Sequence, residues 1–271
     1  MLRAGSEDPV TGKVIKKRPE TDMPLPLILF IICHWYLAAF CQTVFLHRYA
    51  SHQMFTMPKF WERVFYAATF LTQGSSYLNP RSYALMHRMH HAYSDTTADP
   101  HSPQFFKNPV SMMKNTLLVY LGIYVGKMKV EENFEGGYPV WPAFDRWLDG
   151  PLVRLLWIGF YLVFYRYFTT AWWQYLFIPL HVFMGPIHGA IVNWCGHKYG
   201  YSNFDNHDRS KNTFFADFLT MGELMQNNHH HKTQKPNFAS RWFELDPTYP
   251  LLSCLNLLKI IRFQPAKKEE A

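Results

Sequence analysis

Long apolar blocks alternate with polar stretches along this chain. Residues 24–46, PLPLILFIICHWYLAAFCQTVFL, contain no acidic side chain, Lys or Arg, and His34 and Gln42 are the polar exceptions. A helix of that length reaches across ~30 Å of hydrocarbon. A second apolar region holds two segments, 151–168 (PLVRLLWIGFYLVFYRYF) and 172–192 (WWQYLFIPLHVFMGPIHGAIV). Thr169, Thr170, Trp172 and Trp173 fall at their junction, the composition of a hairpin tip at a membrane interface. Arg154 and Arg166 sit near the ends of the first segment, where long stems carry charge back to the interface. Residues 60–78 are amphipathic, and Glu62, Arg63 and Gln73-Gly-Ser-Ser76 predict an interfacial helix rather than a span. Residues 112–128 predict a surface helix, and 241–261 a closing interfacial one. The pattern predicts an all-α integral membrane protein with three apolar spans, a polar arm at 1–23, one domain at 24–262 and a charged tail at 263–271.

Histidine concentrates in the polar stretches beside the spans. The chain has 14, and ten lie in four short patches. In NPRSYALMHRMHHAYSDTTADPH, residues 79–101, His87, His90 and His91 are at i, i+3 and i+4, one face of a helix. Asp95, Asp99 and His101 follow, close enough to orient ring N–H groups. His47 and His52 are at i, i+5, which separates their rings on a regular helix; a turning helix end would reunite them. His197 follows the last span, and His229 and His230 stand three and four residues after Gln226. His34 and His181, inside spans, read as packing histidines; His188, nearer the patches, is more open.

Two spans separate the central patch from the C-terminal ones, which puts both on the same side of a bilayer. If 24–46 fully crosses, the basic arm (Lys13, Lys16, Lys17, Arg18) is on the opposite side, against the positive-inside tendency. A re-entrant first segment removes that conflict, and the sequence leaves both open.

Composition narrows the chemistry. Aromatics are 18% and the net charge is +7. No basic stripe or nucleic-acid motif accompanies the charge; a basic face towards an anionic leaflet or a phosphate-bearing substrate fits it better. Cys33, Cys41, Cys195 and Cys254 form no CxxC pair, which excludes a zinc ribbon and an iron–sulfur pattern. Few carboxylates share the patches, which disfavours calcium and magnesium. Eight imidazoles are too many for one metal and suit two. Two irons in a membrane-facing pocket suit dioxygen activation and removal of hydrogen from an unactivated alkyl chain, which no side chain achieves alone. The rivals are a hydroxylase or other monooxygenase on the same scaffold and a membrane metal transporter. Transport needs polar ligands at the bilayer midplane, and these patches lie outside the spans.

The sequence resembles the membrane fatty-acid desaturase family, and within it the acyl-CoA delta-9 (stearoyl-CoA) branch. HRYASH is similar to the family's H-R-x-x-x-H box, HRMHH to its H-x-x-H-H box, and SDTTADPH to the run that follows. NWCGHKYGY and GELMQNNHH resemble the two later motifs. The resemblance covers roughly residues 25–262. It implies a cytosolic histidine-rich cap holding two ferrous ions, with His47, His52, His87, His90, His91, His197, His229 and His230 as ligands. Asn193 would hold an iron-bound water, and Asp95, Asp99 and Glu223 would orient imidazoles, helix capping being the rival role for the two aspartates. Arg48 and Arg88 would be structural or face substrate. It further implies a multi-pass protein with its active site on the cytoplasmic face and a long-chain acyl substrate on coenzyme A or lipid. O2 and an external electron donor are also implied: a ferredoxin, rubredoxin or b-type cytochrome with its reductase. Three departures stand out. Gln226 replaces the branch's usual His, making it a possible extra ligand, with His231 or His188 as substitutes. One apolar segment precedes the first box instead of two. Gly189-Ala190 stand where a bulky pair lines the bend of the acyl tunnel.

Overall fold

The computed structural model describes residues 6–7, 14–15 and 22–264. Most of the arm expected at 1–23 and the tail from 265 onward lie outside them; within the arm, Ser6–Glu7 pairs antiparallel with Val14–Ile15. The first apolar segment is helix α1, Leu25–Cys41, continuing without a break into a π-helix, Gln42–Ser51. The rod is 27 residues long, against ~20 needed to cross hydrocarbon, and it does not turn back as a re-entrant segment must. Leu25, Leu29, Ile32 and Leu37 remain exposed on it, as expected of a lipid-facing side.

The interfacial helix expected at 60–78 is α2, Lys59–Gln73. Gly74 (φ +54°) stops it, and a short 3-10 turn, Gly74–Ser76, follows. Helix α3, Pro80–Tyr93, starts where the sequence favours a start. Asn79 caps it by accepting from the Arg81 and Ser82 backbone N–H groups, and Pro80 occupies the first turn, where its missing N–H costs nothing. Helix α4, Pro109–Tyr124, replaces the expectation at 112–128, with Asn108 and Ser111 forming a capping box.

The second apolar region is less regular than its pattern predicts. Short helix α5, Pro142–Leu148, meets α6, Pro151–Phe168, at 58°. The expected span at 172–192 is a 3-10 stretch, Trp172–Phe177, then α7, Ile178–Val182, and α8, Met184–Ala190, extended by a π turn, Ile191–Cys195. Its two halves meet at 71°. One helix among the described residues is therefore long and apolar enough to cross a membrane, or up to three if each bent pair is one span. The closing helix expected over 241–261 shrinks to α10, Thr248–Leu257; Lys259, just beyond it, has a positive φ.

The main core lies where the π-helix meets α2 and the C-terminal segments, around Phe45, Leu46, Phe55, Tyr66, Phe238 and Leu252. Strand Phe55–Thr56 pairs antiparallel with Arg262–Phe263 and ties the chain end to this core. The histidine-bearing end of the first rod is thereby fixed against α3, and the six-residue helix α9, Gln226–His231, faces both.

Candidate metal centre

The π-helix explains the first histidine pair. A π turn closes each backbone hydrogen bond on residue i+5, and the His52 N–H donates to the His47 carbonyl at 3.2 Å. The spacing that separates two rings on an α-helix here brings them to 4.9 Å between centroids. Helix α3 then divides its own three histidines. His87 and His91 turn to His47 and His52, and His90 turns away to His197.

Two nitrogen clusters result. The first gathers His47, His52, His87, His91 and His229, with one nitrogen from each within 4.8 Å of the others. Nε2 faces Nε2 at 2.8 Å for His52–His87 and 3.0 Å for His47–His229, His87–His91 and His91–His229. Neighbouring donors on a metal with ~2.1 Å bonds to nitrogen stand about 3 Å apart. The second gathers His90, His197 and His230, whose Nε2 atoms are buried and have no hydrogen-bond partner.

Carboxylates set which nitrogen of these rings faces inward. Asp99 lies 3.0 Å from His90 Nδ1, Asp95 2.9 Å from His197 Nδ1, and Asp208 2.6 Å from His230 Nδ1. Glu223 stands 2.5 Å from His47 Nδ1. Each acceptor keeps the ring proton on Nδ1 and leaves the Nε2 lone pair bare. Lone pairs converging in a buried space repel unless a cation lies between them, so the donor sets fit two metal ions with affinity for imidazole.

Burial and then neighbouring imidazoles hold His52, His87, His90, His91 and His229 well below the ordinary histidine pKa, so their rings are neutral donors. Burial pushes the Asp95 carboxyl up, but the hydrogen bonds from His197, Ser102 and the Arg209 backbone outweigh it and bring it to about 2. Burial likewise raises Glu223, and the net shift is downward because His47 and Arg48 face it.

Both arginines of the histidine boxes are anchors. Arg48 is fully buried; it bonds Glu223 at 3.0 Å, Asp246 at 2.8 Å and Thr43, and lies over the Phe238 ring. Arg88 donates to the carbonyls of Ala50, Ser51, Phe134 and Gly136. Asp95 and Asp99 face imidazoles beyond the Ser94 C-cap of α3 and do not cap that helix. Asn228 holds α9 in place: its amide donates to the Phe238 carbonyl and Glu244, and its oxygen accepts from Asn203 and Asn212.

Other expected residues make other contacts. Gln226 is buried, and its amide nitrogen donates to the Glu223 carbonyl at 2.6 Å. His231 stacks on Phe204 with its Nδ1 at 3.1 Å from Asn206. His188 packs edge-on against Trp35. His34 and His181 face each other through Nδ1 at 2.6 Å, with the Tyr165 hydroxyl 2.9 Å from His181. Asn193 lies on the π turn four residues before His197. Asp208 and Asp246 gave no sequence signal: they lie in polar stretches whose spacing to their partners, 22 and 198 residues, follows no local pattern.

The chain is similar to known proteins. The family model described as fatty acid desaturase matches residues 24–253. The chain is 28% identical over 231 residues to an sn-1 stearoyl-lipid 9-desaturase of Synechocystis, covering 82% of this chain and 67% of the relative. It is 30% identical over 223 residues to delta-9 desaturase-like 2 protein of Arabidopsis thaliana, covering 80% and 69%. It is 28% identical over 240 residues to an acyl-CoA 5-desaturase of Anemone leveillei, covering 86% and 68%. With four histidine patches folded into one centre and a family model spanning most of its length, this chain belongs to the fatty acid desaturase family and is a fatty acyl desaturase.

Proposed function

We propose that the chain desaturates a long-chain saturated acyl group, of the delta-9 type and carried on coenzyme A, at a histidine-ligated pair of ferrous ions. The observation that carries this reading is the paired nitrogen clusters sharing helix α3. His47, His52, His87, His91 and His229 would hold one iron, and His90, His197 and His230 the other, with Asn193 holding a water beside the second. The irons supply, with O2 and two electrons, the oxidising power to remove hydrogen from an unactivated methylene. The balance is one –CH2–CH2– unit, O2, two electrons and two protons giving one cis –CH=CH– unit and two waters.

The chain's own residues prepare the site. Glu223, Asp99, Asp95 and Asp208 fix the imidazole tautomers, and Arg48 fixes Glu223. Burial keeps bulk water from the nitrogens. In this reading the centre sits just outside a bilayer on its cytoplasmic face and the acyl chain enters from the lipid side, a reading supported by the long apolar first helix and its exposed leucines. A polar cleft lined by Ser51, His52, Arg88, His91 and Gln234 reaches the edge of the first cluster. Electrons from an external ferredoxin, rubredoxin or b-type cytochrome would arrive through it.

The test is expression in a host lacking its own desaturase, with a working electron donor, followed by mass-spectrometric location of double bonds in acyl-CoA and lipid fractions. New delta-9 cis-monoenes are expected. Hydroxy acids instead would assign a monooxygenase, and unchanged acyl chains in an iron-loaded protein would overturn the reading.

A further inference from the structure

The two clusters are unequally supplied: five imidazoles in the first, three in the second. The position from which a further imidazole is expected carries Gln226, whose amide nitrogen donates to the Glu223 carbonyl. Its stem is wedged beside Gly196, where an added Cβ would lie 2.5 Å from Gln226 Cγ. His231 and His188 are engaged elsewhere.

One imidazole remains beside the second cluster. His101 is 3% exposed, and neither of its ring nitrogens has a hydrogen-bond partner. A buried donor or acceptor left unpaired costs ~1–3 kcal/mol, and His101 carries one of each. Its ring centroid is 4.3 Å from that of His90, and the two group with Asp99 within 4.8 Å. Asp99 aligns both residues, accepting from the His101 backbone N–H at 2.9 Å and facing His90 Nδ1 at 3.0 Å.

We propose that His101 is the fourth protein ligand of the second metal, taking the place that Gln226 leaves. The inference rests on the two-metal reading above. His101 stands on the flank of His90, outside the set of three inward nitrogens, and ligation requires its ring to move towards them. Ligation gives its lone pair the partner it lacks.

The full chain, reconstituted in lipid nanodiscs, is loaded anaerobically with ferrous iron and desalted. Iron per chain is measured by mass spectrometry, and release to a ferrous-iron chelator is followed in time. Wild type is expected to hold two irons. His101→Ala is expected to lose the second at least ~10-fold faster while release of the first is unchanged, and adding Gln226→His to that variant is expected to slow the loss again. His101→Cys loaded with cobalt(II) is expected to gain a thiolate-to-cobalt charge-transfer band absent from wild type, a signature that a merely structural role would not produce. His101→Ala releasing both irons at wild-type rates, together with no new band in His101→Cys, overturns the proposal. Wild type holding fewer than two irons overturns the two-metal reading itself, and the proposal with it.

Discussion

His87 and His90 stand three residues apart on one helix face, yet they serve different clusters. His87 Nε2 meets His52 at 2.8 Å, while His90 Nδ1 meets Asp99 at 3.0 Å and its Nε2 points to the second set. Helix α3 is thus the wall shared by both sites, and His91, one turn after His87, closes the first. Removing either residue is predicted to empty one site and leave the other.

The carboxylate behind each ring is predicted to control affinity without touching the metal. Glu223→Gln weakens iron at the first site and Asp208→Asn at the second, each by ~10–100-fold. Competition with a chelator of known affinity checks this. Equal weakening of both sites by one substitution contradicts the assignment.

Arg48 is predicted to carry a large share of the stability. It is fully buried between Glu223 and Asp246, and Arg48→Met removes the cation that both buried carboxylates share, at a cost of about 3–5 kcal/mol. Thermal unfolding of the purified protein in detergent should show a large drop in Tm. An unchanged Tm would show that the network carries little of the fold.

Much of this architecture is legible in the sequence, for identifiable reasons. The apolar segment at 151–168 coincides with α6 because Gly150-Pro151 and Thr169 bound an apolar run with little polar interruption. The i, i+3, i+4 pattern correctly gives one helix for His87, His90 and His91. Periodicity cannot show that they divide between two sites, because that depends on which strangers in sequence pack on either side. The His47/His52 pair needed a π-helix, which no residue pattern announces. Gly185 and Pro186 sit just past the bend at Phe183, but composition alone does not distinguish a kinked span from a straight one.

Asp217 predicts a pH dependence of stability. Burial pushes its carboxyl up to about 7 despite the Leu224 N–H at 2.7 Å, with Asp246 and Glu223 adding to the rise and Arg48 opposing it. The folded state then binds a proton that the unfolded state releases above its ordinary value of 3.8. That stability is fully present below the unfolded value and is lost as pH rises through about 7, up to roughly 4 kcal/mol in all. The buried histidines held below their ordinary pKa act with the opposite sign below about 6.5, so the Asp217 contribution is read as a difference: the Tm of apo Asp217→Asn relative to apo wild type should rise from pH 5 to pH 8. A difference that stays constant over that range places the titrating group elsewhere.

Gly74 is predicted to be intolerant of substitution on two counts. Its φ is +54°, and an added Cβ would lie 1.9 Å from the Tyr161 hydroxyl oxygen. Gly74→Ala should destabilise the protein by ~1–3 kcal/mol. Tyr161→Phe on that background should restore only part, since the backbone strain persists. Full restoration in a melting experiment would show that the clash alone mattered.

The central claim is that residues from four separated patches hold two metal ions side by side. Anomalous diffraction at the iron edge, from crystals of the iron-loaded protein, tests it most directly. The account predicts two peaks, one among His47, His52, His87, His91 and His229 and one among His90, His197 and His230. A single peak, or iron bound away from both sets, would contradict it.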